Sequence, residues 1–146
     1  VMRITPNLLE NYEYADVVRG SREDFEVLYK QTDAAKVYQN QVKFYCRNFI
    51  YTRGSKPVSV FAIPQFQKDY DVPPLQPVST IGAGDNFNAG FIYGLLKEHI
   101  TLQQIEEGLS AAQWDALIGS AQAFSAACCQ DIYNYVSEAF GQKMSM

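Results

Sequence analysis

The feature that most constrains the fold of this chain is a glycine-bracketed turn, Gly82-Ala83-Gly84-Asp85, directly before an amphipathic run. Phe87, Phe91 and Leu95 recur at i, i+4 and i+8, so residues 85–97 are predicted to form a helix with one buried face. Both glycines can adopt positive φ and let backbone N–H groups approach a ligand closely. The stretch therefore predicts a turn in front of a helix N-terminus, where phosphate would be stabilised.

Asp85 falls in the first turn of this predicted helix, where the macrodipole favours an ionised carboxylate. A carboxylate beside a bound phosphate can accept a proton from an attacking hydroxyl, as phosphoryl transfer requires. No Lys-Ser or Lys-Thr pair follows the glycines, which excludes a P-loop, and Phe87 replaces the third glycine of a dinucleotide-binding fingerprint. An ordinary loop-to-helix junction, with Asp85 only a helix-start acid, is the alternative.

The stretch TIGAGDNF, residues 80–87, resembles the second signature of the PfkB (ribokinase-like) carbohydrate kinase family, D-T-x-G-A-G-D-x-F. It matches every position but the first, where Ser79 stands in place of Asp. The resemblance implies a role for each matched residue: Asp85 as catalytic base, Gly82, Ala83 and Gly84 as amide donors of the anion hole, and Thr80 on the phosphate approach.

Residues 15–28 (ADVVRGSREDFEVL) are similar to the family segment that carries N-x-x-E, a polar pair that helps to place magnesium and phosphates through water. Ser21 and Asp24 occupy the two polar positions, so the resemblance implies that they contribute to cofactor binding. The same two residues also form a capping-box pattern at the start of a helix. A purely structural role is therefore the alternative.

Thr52-Arg53-Gly54 resembles the family's T-x-G, which implies that Thr52 and Gly54 meet the nucleotide at a strand end. The alternative is a plain hairpin turn between strands predicted over residues 48–52 and 58–63. Arg53 is also a candidate for reaching a phosphate.

The rest of the chain predicts an α/β fold, and the resemblance makes it ribokinase-like, with a mostly parallel sheet and helices on both faces. Residues 64–78 hold four prolines and are expected to form an extended connector with little strand pairing. The other predictions are a loop with one helical turn over 1–14, a strand over 15–19, helices over 33–46 and from 101 to 128, and a last helix over 131–140 with Tyr135 and Val136 inward.

The composition, 47% hydrophobic and 14% aromatic, is that of a globular chain. The net charge of −4, without a cluster of Lys or Arg, argues against a nucleic-acid or membrane partner. Three cysteines form neither a zinc pattern nor a disulfide framework, so they are expected to be reduced core residues. A cytoplasmic location is expected, since no signal segment or long apolar run is present.

The resemblance spans residues 1–146 and implies that they form the C-terminal, nucleotide-binding and catalytic part of one kinase domain, without the N-terminal sugar-binding half and its lid. The implied activity is ATP- and Mg²⁺-dependent phosphorylation of a hydroxyl on a sugar or related small alcohol. Three alternatives stay open: a non-catalytic fragment, a nucleotide-binding half that needs a partner chain, and a nucleoside kinase of the same superfamily. The implied partners are ATP, a small sugar, and either the missing half as a separate chain or a second copy. The isolated chain is expected to be inactive.

Overall fold

The computed structural model describes residues 6–145, and the chain divides into two compact units. The first unit runs up to Val72 and also includes Ile105–Gly108; the second comprises Pro73–Gln104 and the chain from Leu109 onward. The boundary at Val72 and Pro73 lies within the predicted connector. Each unit is described below by itself.

The first unit contains a four-stranded mixed sheet of order β1-β2-β3-β4. β1 is parallel to β2, whereas β2–β3 and β3–β4 are antiparallel. The α/β class is thus confirmed, but two of the three described strand pairs are antiparallel, because short turns can join only antiparallel neighbours. The elements of this unit are α1 Pro6–Tyr14, β1 Val18–Ser21, α2 Arg22–Tyr29, α3 Ala34–Asn40, a 3₁₀ turn Val42–Phe44, β2 Phe49–Arg53, β3 Lys56–Ala62 and β4 Phe66–Tyr70.

An aromatic core lies between one face of this sheet and helices α1–α3. Phe49 and Tyr51 alternate with Ile50 along β2, so their rings share a face. The ring centroid of Phe25 in α2 lies 5.3 Å from that of Phe49, and Tyr38 in α3 stacks on Phe61 at 5.1 Å. Burying side chains of this size stabilises a fold by about 1.5–3 kcal/mol each, so this layer holds β1 and β2 against the helices.

Three sequence predictions for the first unit were wrong. Phe66–Tyr70 pairs with β3, because the connector's prolines fall outside this stretch and leave its N–H groups free to bond. Pro6–Tyr14 is a helix, since proline is tolerated at the first helical position, while Val1–Thr5 lie outside the described residues. The helix predicted over 33–46 ends at Asn40.

The second unit is built on the packing of α4 (Ala83–Lys97) against α6 (Ala111–Cys128). Gly90 and Gly94 of α4 let the two helices approach closely, because a Cβ at either position would crowd α6. The helix predicted over 131–140 was wrong: the Ser137 hydroxyl accepts from the Phe140 N–H and starts the helix later, and Tyr135 is exposed. The remaining helices are α5 Leu102–Glu107, which crosses the second boundary, and α7 Glu138–Lys143.

Cys46, Cys128 and Cys129 are free and buried, as predicted. Over residues 6–145, no helix combines the length and the apolar character that a membrane crossing requires.

Candidate functional site

Gly82 is the N-cap of α4 and adopts a left-handed conformation, with φ 78°. A Cβ at this position would lie 2.5 Å from the Cβ of Asn134, so both the backbone conformation and the close contact require glycine. Gly84 is the second residue of the helix and does not use positive φ. Of the two glycines singled out by the sequence, only Gly82 therefore needs its conformational freedom.

The amides at the start of α4 are only partly used. The N–H of Ala83 donates to the Thr80 carbonyl at 3.2 Å. Among the described residues, the N–H groups of Gly84 and Asp85 have no hydrogen-bond partner, as expected for the first turn of a helix. This end of α4 can therefore donate to an anion from Gly84 and Asp85, whereas the Ala83 N–H already serves the turn.

Asp85 is the third residue of α4, and its side chain is exposed. Its charge is sensed by the buried thiol of Cys128, whose pKa is raised chiefly by burial and further by Cys129 and Asp85. The carboxylate is thus an accessible proton acceptor beside unused amide donors.

Asn86, which no sequence pattern singled out, holds this turn. The side-chain amide of Asn86 donates to the carbonyls of Gly82 at 3.0 Å and Asn134 at 2.9 Å, and lies 3.2 Å from Cys128 Sγ. Asn86 occupies a variable position of the motif, so nothing in the pattern pointed to it. Its burial, at 8% exposed, shows that the amide serves the structure rather than solvent.

Ser21 and Asp24 form a complete capping box on α2. The Ser21 Oγ accepts from the Asp24 N–H at 3.2 Å, and Asp24 Oδ2 accepts from the Ser21 N–H at 2.8 Å. Ser21 and Asp24 therefore have the structural role that was the alternative to cofactor binding, which is to cap α2. A carboxylate accepts several hydrogen bonds, so Asp24, which is exposed, retains acceptor capacity for a water or a cation.

Thr52 is the register partner of Ser21 at the carboxyl ends of the parallel strands β1 and β2. Its Oγ1 accepts from Arg19 Nη2 at 3.1 Å, and Gly54 follows in the hairpin turn with φ 60° and open space where a Cβ would stand. Ligands of open α/β sheets bind outside the carboxyl ends of parallel strands. Ser21, Asp24, Thr52 and Gly54 are thus brought together at that end of the sheet.

Arg53 is directed elsewhere. Its Nε and Nη2 donate to the Pro57 carbonyl at 3.0 and 2.8 Å, and Nη2 also donates to Ser59 Oγ at 3.1 Å. Ser59 in turn donates to Asp69 Oδ1 at 2.6 Å. The guanidinium therefore stabilises its own hairpin, and it lines a polar cavity of about 440 Å³. The hypothesis that Arg53 reaches a phosphate gains no support from these contacts.

The sequence-predicted site residues fall in both units. The first unit contains the cluster at the ends of β1 and β2, and the second contains Thr80, which is exposed, and residues 82–85. Over residues 6–145, no group of three or more His, Cys, Asp or Glu residues could hold a metal ion. Asp24 offers an exposed carboxylate at the carboxyl ends of β1 and β2, and one or two carboxylates are what Mg²⁺ commonly takes from a protein when substrate phosphates and waters supply its other oxygens.

The profile of the pfkB family of carbohydrate kinases matches residues 3–135. The curated 5-dehydro-2-deoxygluconokinase of Geobacillus thermodenitrificans is 29% identical over 104 residues, which cover 68% of this chain and 31% of that protein.

Solved kinases share the fold. A fructokinase from Vibrio cholerae, solved with fructose, ADP and a calcium ion, has a TM-score of 0.75 at 21% identity and is matched over 94% of this chain and 43% of its own. An aminoimidazole riboside kinase from Salmonella enterica, solved with aminoimidazole riboside and an ATP analogue, has a TM-score of 0.72 at 16% identity, over 95% of this chain and 45% of its own. The chain thus spans less than half the length of these relatives. The structural similarity of this chain to these kinases confirms the ribokinase-like fold class.

Proposed function

Since this chain belongs to the pfkB family of carbohydrate kinases, we propose that it forms the nucleotide-binding and catalytic part of an ATP-dependent kinase that phosphorylates a hydroxyl on a sugar or related small alcohol. One observation carries the proposal: the exposed carboxylate of Asp85 stands in the first turn of α4, beside amides of Gly84 and Asp85 that bond to no described residue. A donor set at a helix start beside an acid suits phosphoryl transfer, which needs positioning and charge stabilisation.

Asp85 is proposed as the base that takes the proton of the attacking hydroxyl. The anion hole is proposed to be formed by Gly82, Ala83 and Gly84 as the motif implies, with the Asp85 N–H as a further donor. The Ala83 N–H is bonded to the Thr80 carbonyl, so its contribution requires that bond to be shared or exchanged. Thr80 is proposed to border the phosphate approach.

The remaining nucleotide contacts are assigned to Ser21, Asp24, Thr52 and Gly54. Their support is the position at the carboxyl ends of β1 and β2. Mg²⁺ would be held mainly by the nucleotide's phosphate oxygens, with Asp24 as a carboxylate available through water, and when bound it neutralises phosphate charge. ATP is favoured as donor because related kinases were solved with an ATP analogue and with ADP.

The acceptor is a sugar in several relatives and a nucleoside in others. An adenosine kinase from Anopheles gambiae matches 86% of this chain with a TM-score of 0.65 at 26% identity. The nucleoside kinase alternative therefore stays within the proposal, and we propose that the part of the domain that selects the acceptor lies in the portion of the relatives that this chain does not match.

The test separates binding from turnover. We expect calorimetry to show that the 146-residue chain binds MgATP, and we expect no ADP to form when excess sugar is added, because the proposal assigns acceptor binding to the part of the relatives that this chain does not match. A chain that binds no nucleotide would overturn the proposed nucleotide role. ADP formation by the chain alone would show that it needs no further half.

A further inference from the structure

The segment that follows α6, residues 131–137, is tied to the turn at residues 81–82 by one buried amide. Asn86 Nδ2 is 3.0 Å from the Gly82 carbonyl oxygen and 2.9 Å from the Asn134 carbonyl oxygen. A primary amide has two N–H donors, so it can serve both carbonyls at once. One side chain therefore bonds to the N-cap of α4 and to a stretch of chain 48 positions away in sequence.

Two further contacts join the same pair of segments. The Cys128 thiol lies 3.5 Å from the Ile81 carbonyl and 3.8 Å from the Tyr133 carbonyl, and therefore can donate to either side. The Cα of Gly82 packs against Asn134 so closely that no Cβ could be inserted. The turn and the segment are thus in direct contact, with Asn86 and Cys128 behind them.

We infer that Asn86 is a positioning residue for the phosphate turn. By donating a hydrogen bond to each of the Gly82 and Asn134 carbonyls, it couples the geometry of residues 82–85 to that of residues 131–137. The inference deepens the proposed function and rests on it, because the amides it orients are those assigned to the nucleotide's phosphate. Asn86 itself is buried and would touch no substrate.

The physical reason lies in the amide itself. Asn86 is 8% exposed, so its N–H donors have little access to water, and the Gly82 and Asn134 carbonyls are the oxygen acceptors that satisfy them. The segment from 131 to 135 is exposed and has no regular structure, so this amide is a principal restraint on it. If the amide is removed, both stretches should loosen together.

Hydrogen exchange followed by mass spectrometry tests the coupling in the full chain. Asn86→Ala should raise the exchange of residues 80–86 and of residues 131–137 by about ten-fold, while β2 and β3 keep their wild-type exchange and report global stability. Asn134→Ala is the matched control, because it removes an amide side chain at the same contact but leaves the backbone acceptor, and it should exchange like wild type.

Asn86→Ser separates the local bond from the coupling, and it serves as the second variant should Asn86→Ala fold poorly. A serine hydroxyl can bond back to the carbonyl four residues earlier, which is Gly82, but is too short to reach Asn134 as well. We expect fast exchange of residues 131–137 to persist in this variant. Wild-type exchange of both stretches in Asn86→Ser, or faster exchange of only one stretch in Asn86→Ala, would overturn the inference.

Nucleotide affinity supplies a readout that general loosening would not produce. Calorimetry with MgATP and with AMP should show Asn86→Ala binding MgATP about ten-fold more weakly, with AMP affinity unchanged, because only the longer phosphate chain reaches the turn. Equal loss for both nucleotides would contradict the positioning role. If wild type binds neither nucleotide, the proposed function fails, whereas the exchange data still decide whether Asn86 couples the two segments.

Discussion

Gly90 in α4 and Ser120 in α6 are in backbone contact: a Cβ built on Gly90 would lie 2.6 Å from the Ser120 carbonyl oxygen and 2.8 Å from the Ala121 Cα. Real Cβ atoms do not approach backbone atoms so closely, and backbone cannot swing aside as a flexible side chain can. The close packing of α4 on α6 thus depends on a missing side chain. Because the proposed phosphate turn begins α4, this contact also supports the frame on which that turn is built.

We predict that Gly90→Ala destabilises the chain and that Gly119→Ala does not. Forcing a methyl group into the contact at residue 90 should cost about 1–3 kcal/mol, as overpacking generally does. Gly119 lies in α6 with nothing within 4 Å of its Cβ position, so alanine there should stabilise the helix by about 0.5–1 kcal/mol. Chemical denaturation of both variants measures the two signs, and a Gly90→Ala variant as stable as wild type would show that the helices can separate at no cost.

Asp85→Asn tests the proposed base. Asparagine keeps the shape of the side chain but cannot accept the proton, so turnover in a complete kinase domain should fall by at least about 10², while nucleotide affinity stays within several-fold. Glu138→Gln is the control, since Glu138 is also an exposed acid in the first turn of a helix of the same unit. Unchanged turnover in Asp85→Asn would remove Asp85 from the mechanism.

Ser21 offers a test that separates capping from cofactor binding. Ser21→Ala removes the acceptor of the Asp24 N–H and should lower the free energy of unfolding by about 1 kcal/mol. Ser21→Asn should keep the stability, because asparagine caps as well as serine, and it also restores the amide that the family pattern has at this position. Ser55→Ala, in an exposed turn, should be neutral. If Ser21→Asn retains stability and strengthens MgATP binding, the pair acts on the cofactor; if Ser21→Ala alters neither stability nor binding, both roles fail.

Patterns in the sequence were sufficient for the parts of the fold with strong periodicity or capping. The helix predicted over residues 85–97 is α4, the hairpin around Arg53 and Gly54 is present, and the capping box at Ser21 has both of its bonds. Each depends on residues close together in sequence, so local chemistry decides the outcome. The pairing of β4 was not predicted, because it depends on the neighbouring strand β3, whereas the four prolines of residues 64–78 indicated little strand pairing.

The site was only partly accessible to the same reasoning. The motif identified residues 82–85, because glycine and an acid at a helix start have a distinct chemical meaning. Asn86 was not identified, because its partner Asn134 lies on a segment that was expected to be helical. Contacts made by irregular chain have no periodicity, so only the three-dimensional structure shows that this amide bridges two carbonyls.

The stability of the chain should fall as the pH rises from about 8.5 to 10.5. Burial raises the pKa of the thiols of Cys46, Cys128 and Cys129 above the ordinary 9.0, and that of buried phenols such as Tyr38 and Tyr51 above 10.0. In this pH range the unfolded chain releases its protons before the folded chain does, so the folded state binds more protons. By linkage, the free energy of unfolding then decreases with pH, by at most about 1.4 kcal/mol per pH unit for each group.

Urea denaturation at a series of pH values checks this slope, with the thiols kept reduced. Below about pH 8 these groups are protonated in both states and should leave stability unchanged. Cys46→Ala removes one of the titrating thiols and should make the decline shallower, whereas Ser55→Ala should reproduce the wild-type curve because it removes no titrating group. Stability that is level from pH 7 to pH 10.5 would mean that these side chains ionise as readily in the folded chain as in the unfolded one, and the burial assigned to the cysteines would have to be abandoned.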